Sequence, residues 1–388
     1  MSEFCAIEAV LNFSGDFDLK DLRCKELVNR LNKESAALAR ADSRIYNLVE
    51  LGKAIDKTLF FPRVSQSLKD LYFISMIKSS DYNCIKCLEG VDINNSGYSD
   101  WANCASRLLY SGIIECAAGK YQLGAMKILK ANQNHFANNV VTPFLSYSKS
   151  IIFDPIDIAW PCEIEIKPAG RPAILCSSDV VYAKRFLSRY IKTLNDRSGD
   201  DLVDFVLVLV ADESEMDDEL RFFLSSVGDG YTKGEFKVER VDKPDFKDVR
   251  TFFAMARFLY AKKWLFQYAG LIITDVDFQL RVDGFPLNEF ISEVSAKSLA
   301  VNEVDRGCFS FMPWRRYTAG TVWIRNDLIG ASFLDYVKAL FIRNYNSNCQ
   351  NWGLDQNILY FIFSSAGRDL YTNIRRSKST FQVPRDLK

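Results

Sequence analysis

After residue 170 the sequence alternates between short apolar runs and segments of helical period, and this alternation restricts the fold more than any other feature. The apolar runs are AILCSSD (173–179), DFVLVLVAD (204–212), KVERVD (237–242) and GLIITDVDF (270–278). Between them, VVYAKRFLSRYIKTLND and DVRTFFAMARFLYAKKWLFQ place apolar residues three and four apart, which predicts amphipathic helices. Strands that are apolar throughout are covered on both faces. The pattern therefore predicts an α/β domain with a largely parallel sheet.

The first part of the chain has a different pattern. From about residue 18 to 150 the apolar spacing is helical, and ASRLLYSGIIECAAGKYQLGAMKILKA indicates two helices joined by a turn at Gly119 and Lys120. This pair resembles a tetratricopeptide unit, although no period repeats three times. The proline-rich segment 153–173 separates the two regions. We therefore expect an α-helical accessory domain at 1–155 and the α/β domain at 156–388.

The charge balance and the cysteines exclude some classes of protein. Lys plus Arg and Asp plus Glu each number 49, so no net charge favours a nucleic-acid partner. No apolar run is long enough to cross a bilayer, and the first residues lack a leader pattern, so we expect a cytoplasmic protein, with peripheral membrane attachment left open. The ten cysteines are scattered, which favours reduced thiols. A zinc site formed by Cys84, Cys87, Cys104 and Cys116 is an alternative to small buried residues between helices.

An acidic pair follows the last of the four apolar runs. Asp275 and Asp277 lie at the predicted carboxyl end of a strand, the edge at which open α/β sheets bind ligands. Two carboxylates at i and i+2 beyond a buried strand point the same way and can serve Mg²⁺ or Mn²⁺, directly or through water. Such a cation neutralises a diphosphate leaving group. D-x-D alone is a weak signal, because the chain has another at Asp16 and Asp18 with no comparable strand before it.

Four elements in order resemble the metal-dependent glycosyltransferases of the A-type fold, especially the glycogenin-like and related retaining families. They are a helix with an arginine (TFFAMARFLYAKKWL, Arg257), a strand with the acidic pair (LIITDVDFQL), a small-residue segment (YTAGTVWIRN) and a late D-Q (WGLDQNILY). The resemblance covers about 110 residues. It implies an A-type α/β domain after the helical domain, a UDP- or GDP-sugar donor, and a glycan, protein or lipid-linked acceptor. Because no phosphate-binding or carboxylate-pairing signal lies between residues 20 and 150, we expect the helical domain to set the acceptor or a protein partner rather than the donor.

The resemblance also implies roles for individual residues. Asp277 binds the metal, Asp275 contacts the metal or the donor ribose, and Arg257 lies near the nucleotide or diphosphate. Asp355 and Gln356 face the reacting centre. The remaining donor candidates border the sugar or follow the first strand, where the nucleotide is held: they are Thr318, Ala319 and Gly320, and Ser177, Ser178, Asp179 and Tyr182.

Two departures from the family pattern weaken this interpretation. Thr318 stands where the family has asparagine, and the late histidine that completes the metal shell is missing. The single histidine, His135, falls in the helical region and is expected to be a surface or packing residue. The third metal ligand is therefore undetermined.

Structural roles compete with the functional ones. Arg257 can be the solvent-facing position of a helix, and Asp355 can be the N-cap of a helix that begins at Gln356. Thr318 and Gly320 can be ordinary strand and bulge residues. The segment PWRRY (313–317), with Trp314, Arg315 and Arg316, can stack on a sugar or bind phosphate, or it can form an interface or a cation–π pair.

Two other functions remain open. A haloacid-dehalogenase-type phosphatase also uses D-x-D after a strand, but on the first strand of its domain, whereas at least two strands precede this one. The second alternative is a non-catalytic interaction protein with a degenerate transferase domain, which the missing histidine supports. A pyridine-nucleotide enzyme is disfavoured because no G-x-G-x-x-G follows a predicted strand.

Overall fold

The computed structural model of the chain describes residues 26, 27, 29, 105–133, 145–162, 170–199, 202–245, 249–281, 284, 286–304, 312–345, 352–374 and 380–382. The chain divides into two units, residues 1–153 with 305–316, and residues 154–304 with 317–388. The predictions for Asp16 and Asp18, for Cys84, Cys87 and Cys104, and for His135 lie outside the described residues.

In the first unit the predicted helix pair is confirmed. Helices α1 (Ala105–Ala117) and α2 (Tyr121–Gln133) are joined by a turn in which Gly119 has φ 81°. The backbone N–H of Lys120 donates to the carbonyl of Glu115, which closes the end of α1 in a Schellman motif. A 3-10 helix (Leu145–Ser150) and a short helix (Pro313–Arg316) complete the described part of this unit.

Small residues allow α1 and α2 to pack closely. A Cβ on Gly112 would lie 2.6 Å from the carbonyl oxygen of Gly124, and a Cβ on Gly124 would lie 2.5 Å from the sulfur of Cys116. Burial raises the pKa of the Cys116 thiol to about 12. A thiol with this pKa remains protonated at neutral pH, and the Cys116 side chain packs against α2.

The second unit is built on a seven-stranded sheet. Its strands are β1 (Ala173–Asp179), β2 (Asp204–Val210), β3 (Phe236–Val241), β4 (Gly270–Asp275), β6 (Leu299–Glu303), β7 (Tyr317–Arg325) and β8 (Tyr371–Asn373). The order across the sheet is β3, β2, β1, β4, β7, β6, β8, and β7 is antiparallel to both of its neighbours. A separate two-stranded antiparallel sheet pairs β5 (Gln279–Leu280) with β9 (Phe381–Gln382).

Helices cover both faces of the large sheet. They are α3 (Val180–Arg197), α4 (Asp218–Asp229), α5 (Val249–Leu259), α6 (Ala261–Leu265), α7 (Leu287–Ser295), α8 (Leu328–Asn344) and α9 (Leu354–Ser365), with a 3-10 turn at Glu213–Glu215. Apolar residues of α3, α4 and α7 share one core with the sheet, whereas α5 contacts β1, β2 and β4 together with α8 and α9. The predicted α/β fold class, a mostly parallel sheet with flanking helices, is confirmed. Within the described ranges, no helix has both the length and the apolarity needed to traverse a bilayer.

Several predicted boundaries were wrong, three of them in the elements that lead to the acidic pair. The helix predicted over 248–267 is interrupted at Tyr260, which has φ −102° and ψ 0°, and it forms α5 and α6. Strand β2 ends at Val210 rather than residue 212. Strand β4 ends at Asp275 rather than residue 278, because a turn at 276–277 follows it, with the N–H of Phe278 bonded to the carbonyl of Asp275.

We expect Gly270→Ala to destabilise the second unit, because β4 begins against the ring of Trp323. A Cβ on Gly270 would lie 2.4 Å from Cη2 of Trp323 and 2.8 Å from the carbonyl oxygen of Ile324. Overpacking of this kind costs about 1–3 kcal/mol. Urea denaturation measures the loss, with Gly170→Ala as the control, since the nearest atom to its Cβ would be at 3.7 Å. Equal stability of the two variants would contradict this account of Gly270.

Candidate functional site

The predicted site residues converge where the direction of the strand order changes. From β1 the sheet grows through β2 and β3 on one side, whereas β4 pairs with β1 on the other. In this parallel pair Ser177 is the register partner of Asp275. Crevices for ligands form beyond the carboxyl ends of strands at such a switch point. Asp275 and the residues predicted to hold a nucleotide therefore lie at the carboxyl ends of neighbouring strands.

Side-chain alternation separates the residues near this edge into two faces. Cys176 and Thr274 face α3: the thiol of Cys176 lies 3.1 Å from the hydroxyl of Thr274, which lies 2.7 Å from the hydroxyl of Tyr190. Ser177 and Asp275 face α5, and the hydroxyl of Ser177 donates to the carbonyl of Phe253. The first face forms a buried polar layer, and the second carries the charged groups of the site.

Arg257 is the buried cation of the site. Its side chain is 2% exposed, its Nη1 pairs with Oδ1 of Asp275, and its Nη2 lies 3.9 Å from Oδ2 of Asp355. Burial acts to lower the pKa of Arg257, but the charges of Asp275 and Asp355 outweigh it, so the pKa is raised. The alternative of a solvent-facing Arg257 is wrong, since the guanidinium lies between two carboxylates.

Asp355 stands in the first turn of α9 and is not its N-cap. The cap is Gly353, which has φ 89°, and the helix begins at Leu354 rather than at Gln356. The carboxylate of Asp355 accepts the backbone N–H of Gln356 at 2.8 Å, and its side chain is 15% exposed. Burial raises the pKa of Asp355, and the charge of Arg257 opposes the rise. The capping alternative is therefore wrong, and the functional roles of Asp355 and Gln356 stay predictions.

Asp277 lies in the turn that follows β4. Because β4 stops at Asp275, Asp277 is not part of the strand, and the common direction of the two carboxylates stays a prediction. Burial and the neighbouring charge of Asp275 raise the pKa of Asp277 to about 6. The charged form of Asp277 is therefore destabilised in the folded protein, and a positive charge beside it would stabilise that form.

We expect Asp277→Asn to stabilise the protein at neutral pH in the absence of divalent cations. The folded chain holds the Asp277 proton up to a pKa of about 6, whereas the reference value is 3.8. The folded state therefore binds more protons between these values, and the stability associated with Asp277 falls as pH rises through this window. Asparagine cannot ionise, so it removes this loss of stability, which we put at about 1–3 kcal/mol above pH 6.

Urea denaturation in EDTA from pH 4 to 8 measures the difference in stability between Asp277→Asn and the wild type, and Asp217→Asn, which replaces an exposed helix cap, is the control. A variant less stable than the wild type at pH 8 would contradict the raised pKa.

The strand β7 brings a glycine against the acidic pair. A Cβ on Gly320 would lie 3.2 Å from Oδ2 of Asp275 and 2.6 Å from Cζ of Phe278, so a larger residue would crowd this carboxylate. Thr318 pairs with Asn302 beside a bulge in the β6 to β7 ladder, and Ala319 is buried. Gly320 therefore lies next to Asp275, whereas Thr318 lies two residues earlier on β7.

The residues at the end of β1 have internal partners. Asp179 caps α3 by accepting the N–H of Tyr182 at 2.7 Å, and the hydroxyl of Ser178 donates to the carbonyl of Asp179. Tyr182 is half exposed. Their contacts with a nucleotide stay predictions. Trp314 is completely buried in the first unit, so a sugar-stacking role for this residue is wrong.

Two features near the edge were not predicted. One is the hydrogen bond between Tyr190 and Thr274, for which the signal was a threonine inside an otherwise apolar strand end. The other is the two-bond ion pair between Arg368 and Glu303 at the end of β6, with Arg368 5.1 Å above the ring of Tyr371. Its partners are 65 residues apart, and no local pattern links them.

The donor set near Asp275 and Asp277 suits a hard cation that shares its coordination with a substrate. Among the described residues, no group of three or more His, Cys, Asp or Glu side chains forms a complete metal site. Mg²⁺ is commonly bound by one or two carboxylates together with substrate phosphates. Asp275 and Asp277 supply two carboxylates, and Oδ1 of Asp275 is already paired with Arg257. This donor set fits a cation that also binds substrate phosphates, and it is too small for a structural site in which the protein supplies every ligand.

Comparisons with known proteins give structural neighbours of low similarity. No family model and no curated protein sequence matches the chain. The apo structure of the WbbM bifunctional glycosyltransferase is similar with a TM-score of 0.38 and 13% identity over 54% of this chain, but over 39% of WbbM. Galactosyltransferase LgtC in complex with donor and acceptor sugar analogues has a TM-score of 0.37 and 15% identity over 52% of this chain and 73% of that enzyme. Mouse xyloside xylosyltransferase 1, in its apo form, has a TM-score of 0.35 and 9% identity over 52% of this chain and 84% of that enzyme. These values assign neither an activity nor a site residue to this chain.

Proposed function

We propose that this chain is a glycosyltransferase that moves a sugar from a nucleoside-diphosphate donor to an acceptor, with Mn²⁺ or Mg²⁺ held by Asp275 and Asp277. The observation that carries the proposal is the position of the acidic pair at the switch point, beside the end of β1, with Asp275 ion-paired to the buried Arg257. Nucleotide-binding α/β domains place their ligand at this point. The motif order of the A-type transferases supports the same assignment.

Each residue of the site has a role suited to that reaction. When bound, the cation would neutralise the negative charge that develops on the diphosphate as the sugar leaves. Asp275 and Asp277 hold it, while Arg257 fixes Asp275 through Oδ1 and leaves Oδ2 towards Gly320. Asp355, on the other side of Arg257, stabilises positive charge at the anomeric carbon or orients the acceptor hydroxyl. Gln356 and Thr318 border the sugar, and the absence of a side chain on Gly320 leaves room for it.

The two alternative functions fit these contacts less well. A phosphatase of the haloacid dehalogenase type needs a nucleophilic aspartate on the first strand of its domain, whereas Asp275 ends β4 and is ion-paired with Arg257. A purely structural role does not account for Asp277 beside Asp275, since burial and the charge of Asp275 raise its pKa and so oppose stability.

The test is donor hydrolysis and transfer by the full chain. A panel of UDP- and GDP-sugars is incubated with the protein in Mn²⁺, in Mg²⁺ and in EDTA, and release of the nucleoside diphosphate is measured. We expect release from one nucleotide class with a divalent cation and none in EDTA. If no donor is hydrolysed or bound by calorimetry, the chain is a non-catalytic interaction protein. Release of inorganic phosphate from a phosphomonoester would instead support the phosphatase.

We further propose that donor binding belongs to residues 156–388 and that the helical unit selects the acceptor or a protein partner. All donor candidates lie beyond residue 170. The fragment 156–388 should therefore bind the nucleotide as tightly as the full chain. It should carry Trp314→Ser, because Trp314 is buried in the other unit and would be exposed in the fragment. The full chain with Trp314→Ser is the matched control. Lost donor affinity in a folded fragment would refute this division of roles.

A further inference from the structure

The small β5–β9 sheet joins the end of the chain to the segment that follows the acidic pair. Strand β5 begins two residues after Asp277, and Leu280 pairs with Phe381. The N–H of Arg281 donates to the carbonyl of Thr380 at 2.8 Å. A ladder of two residues per strand is not stable by itself. Side-chain packing must therefore hold β9 in place.

Phe381 provides that packing. Its side chain is 3% exposed, and its ring makes edge contacts with Tyr190 at 6.4 Å and with Phe290 at 5.6 Å between centroids. Thr380 beside it is 2% exposed. Aromatic pairs of this geometry add about 0.5–1.5 kcal/mol to the effect of burial. The strand is thus anchored by one aromatic residue set between α3 and α7.

Two physical routes connect Phe381 to the acidic pair. In the first, β9 pairs with β5, whose Leu280 donates its backbone N–H to the hydroxyl of Thr193 at 3.3 Å and accepts a hydrogen bond from Arg197 at its carbonyl. This route fixes the far end of the turn that carries Asp277. In the second, the ring of Tyr190 contacts Phe381 while its hydroxyl lies 2.7 Å from that of Thr274, the residue before Asp275.

We infer that β9 is a positioning element for the acidic pair and that Phe381 is its anchor, so that the cation affinity of the site depends on a residue that does not touch the cation. Asp275 is already fixed by Arg257, whereas Asp277 lies in a turn whose conformation depends on the two ends. The strand β4 supplies one end, and the pairing of β5 with β9 supplies the other. The inference rests on the proposed cation site.

The test uses the full chain and three variants. Phe381→Ala removes the anchor, and Phe381→Leu keeps an apolar side chain and should restore much of its effect. Phe333→Ala removes an equally buried phenylalanine from α8 and is the control for general loss of stability. Two quantities are measured without donor: Mn²⁺ affinity by electron paramagnetic resonance, and hydrogen exchange of the Leu280 and Arg281 amides.

We expect Phe381→Ala to weaken Mn²⁺ binding roughly 10- to 100-fold, the range found when the groups that support metal ligands are removed. The Leu280 and Arg281 amides should exchange faster in this variant, and Phe333→Ala should change neither quantity. Unchanged Mn²⁺ affinity in a folded Phe381→Ala protein would overturn the inference, as would an equal loss in Phe333→Ala. If Phe381→Ala does not fold, the same two quantities are measured in Phe381→Leu. A smaller loss of Mn²⁺ affinity with faster amide exchange would support the inference, and no change in either quantity would overturn it.

Failure of the proposed function has a different signature. If the wild type binds no Mn²⁺, the cation assignment is wrong. The exchange rates still decide whether Phe381 holds the turn: faster exchange of the two amides in Phe381→Ala supports the positioning role, and unchanged exchange overturns it.

Discussion

Asp275→Asn should lower the rate of sugar transfer by about 1000-fold or more while the chain remains folded. The substitution removes a cation ligand and also the charge that pairs with the buried guanidinium of Arg257. Electrostatic groups placed where charge develops in the transition state are each worth about 100- to 1000-fold in rate, and here two effects combine. The measurement is kcat/KM for the best donor, with circular dichroism to verify folding.

The control for this prediction is Asp217→Asn, which makes the same chemical change at a helix cap. Its carboxylate accepts the N–H of Leu220 at 2.7 Å, and asparagine caps about equally well. We expect full activity from that variant. If Asp275→Asn retained near-native turnover at limiting Mn²⁺, the cation would bind elsewhere.

Asp355→Asn should lower kcat by roughly 100-fold with little change in donor affinity. A carboxylate that stabilises positive charge at the anomeric carbon acts mainly in the transition state, so its loss affects kcat and not binding. The structure removes the competing explanation, because Gly353 caps α9 and asparagine can still accept the N–H of Gln356. Single-turnover kinetics together with calorimetry of donor binding separate the two quantities.

Asp335→Asn is the matched control for Asp355, since Asp335 is an exposed carboxylate on α8 that pairs with Lys262. It should leave both kcat and donor affinity unchanged. Full transfer activity in a folded Asp355→Asn protein would show that Asp355 is not catalytic and that another residue has this role. A loss of donor affinity equal to the loss of rate would make Asp355 a binding residue instead.

The strands could be predicted from the sequence where burial imposes a local pattern. In β1, β2 and β4 nearly every side chain is buried, so each strand appears as an apolar run, and the acidic pair appears where the run ends. The antiparallel placement of β7 between β4 and β6 could not be predicted in this way. It depends on pairing between distant segments, which leaves no local periodicity.

The site was only partly predictable for the same reason. The resemblance selected Arg257, Asp275 and Asp355, but it did not predict the contacts among them. The amphipathic pattern of its helix gave no sign that the guanidinium is 2% exposed and paired with both carboxylates. Phe381 carried no signal, because β9 has two residues and its partner strand lies about a hundred residues earlier in the chain. Contacts that arise after the sheet forms leave little trace in single-sequence patterns.

The division of the chain into units has a consequence for its synthesis on the ribosome. The first unit includes residues 305–316, and the short helix Pro313–Arg316 contacts α1. That unit therefore cannot be completed when residue 153 has been made, and it must wait until residue 316 has emerged. At about 5–20 residues per second the interval is roughly 10–30 s. During this time the surface of α1 that later contacts the helix Pro313–Arg316 is uncovered. We expect the nascent chain to be a client of ribosome-associated chaperones over this interval.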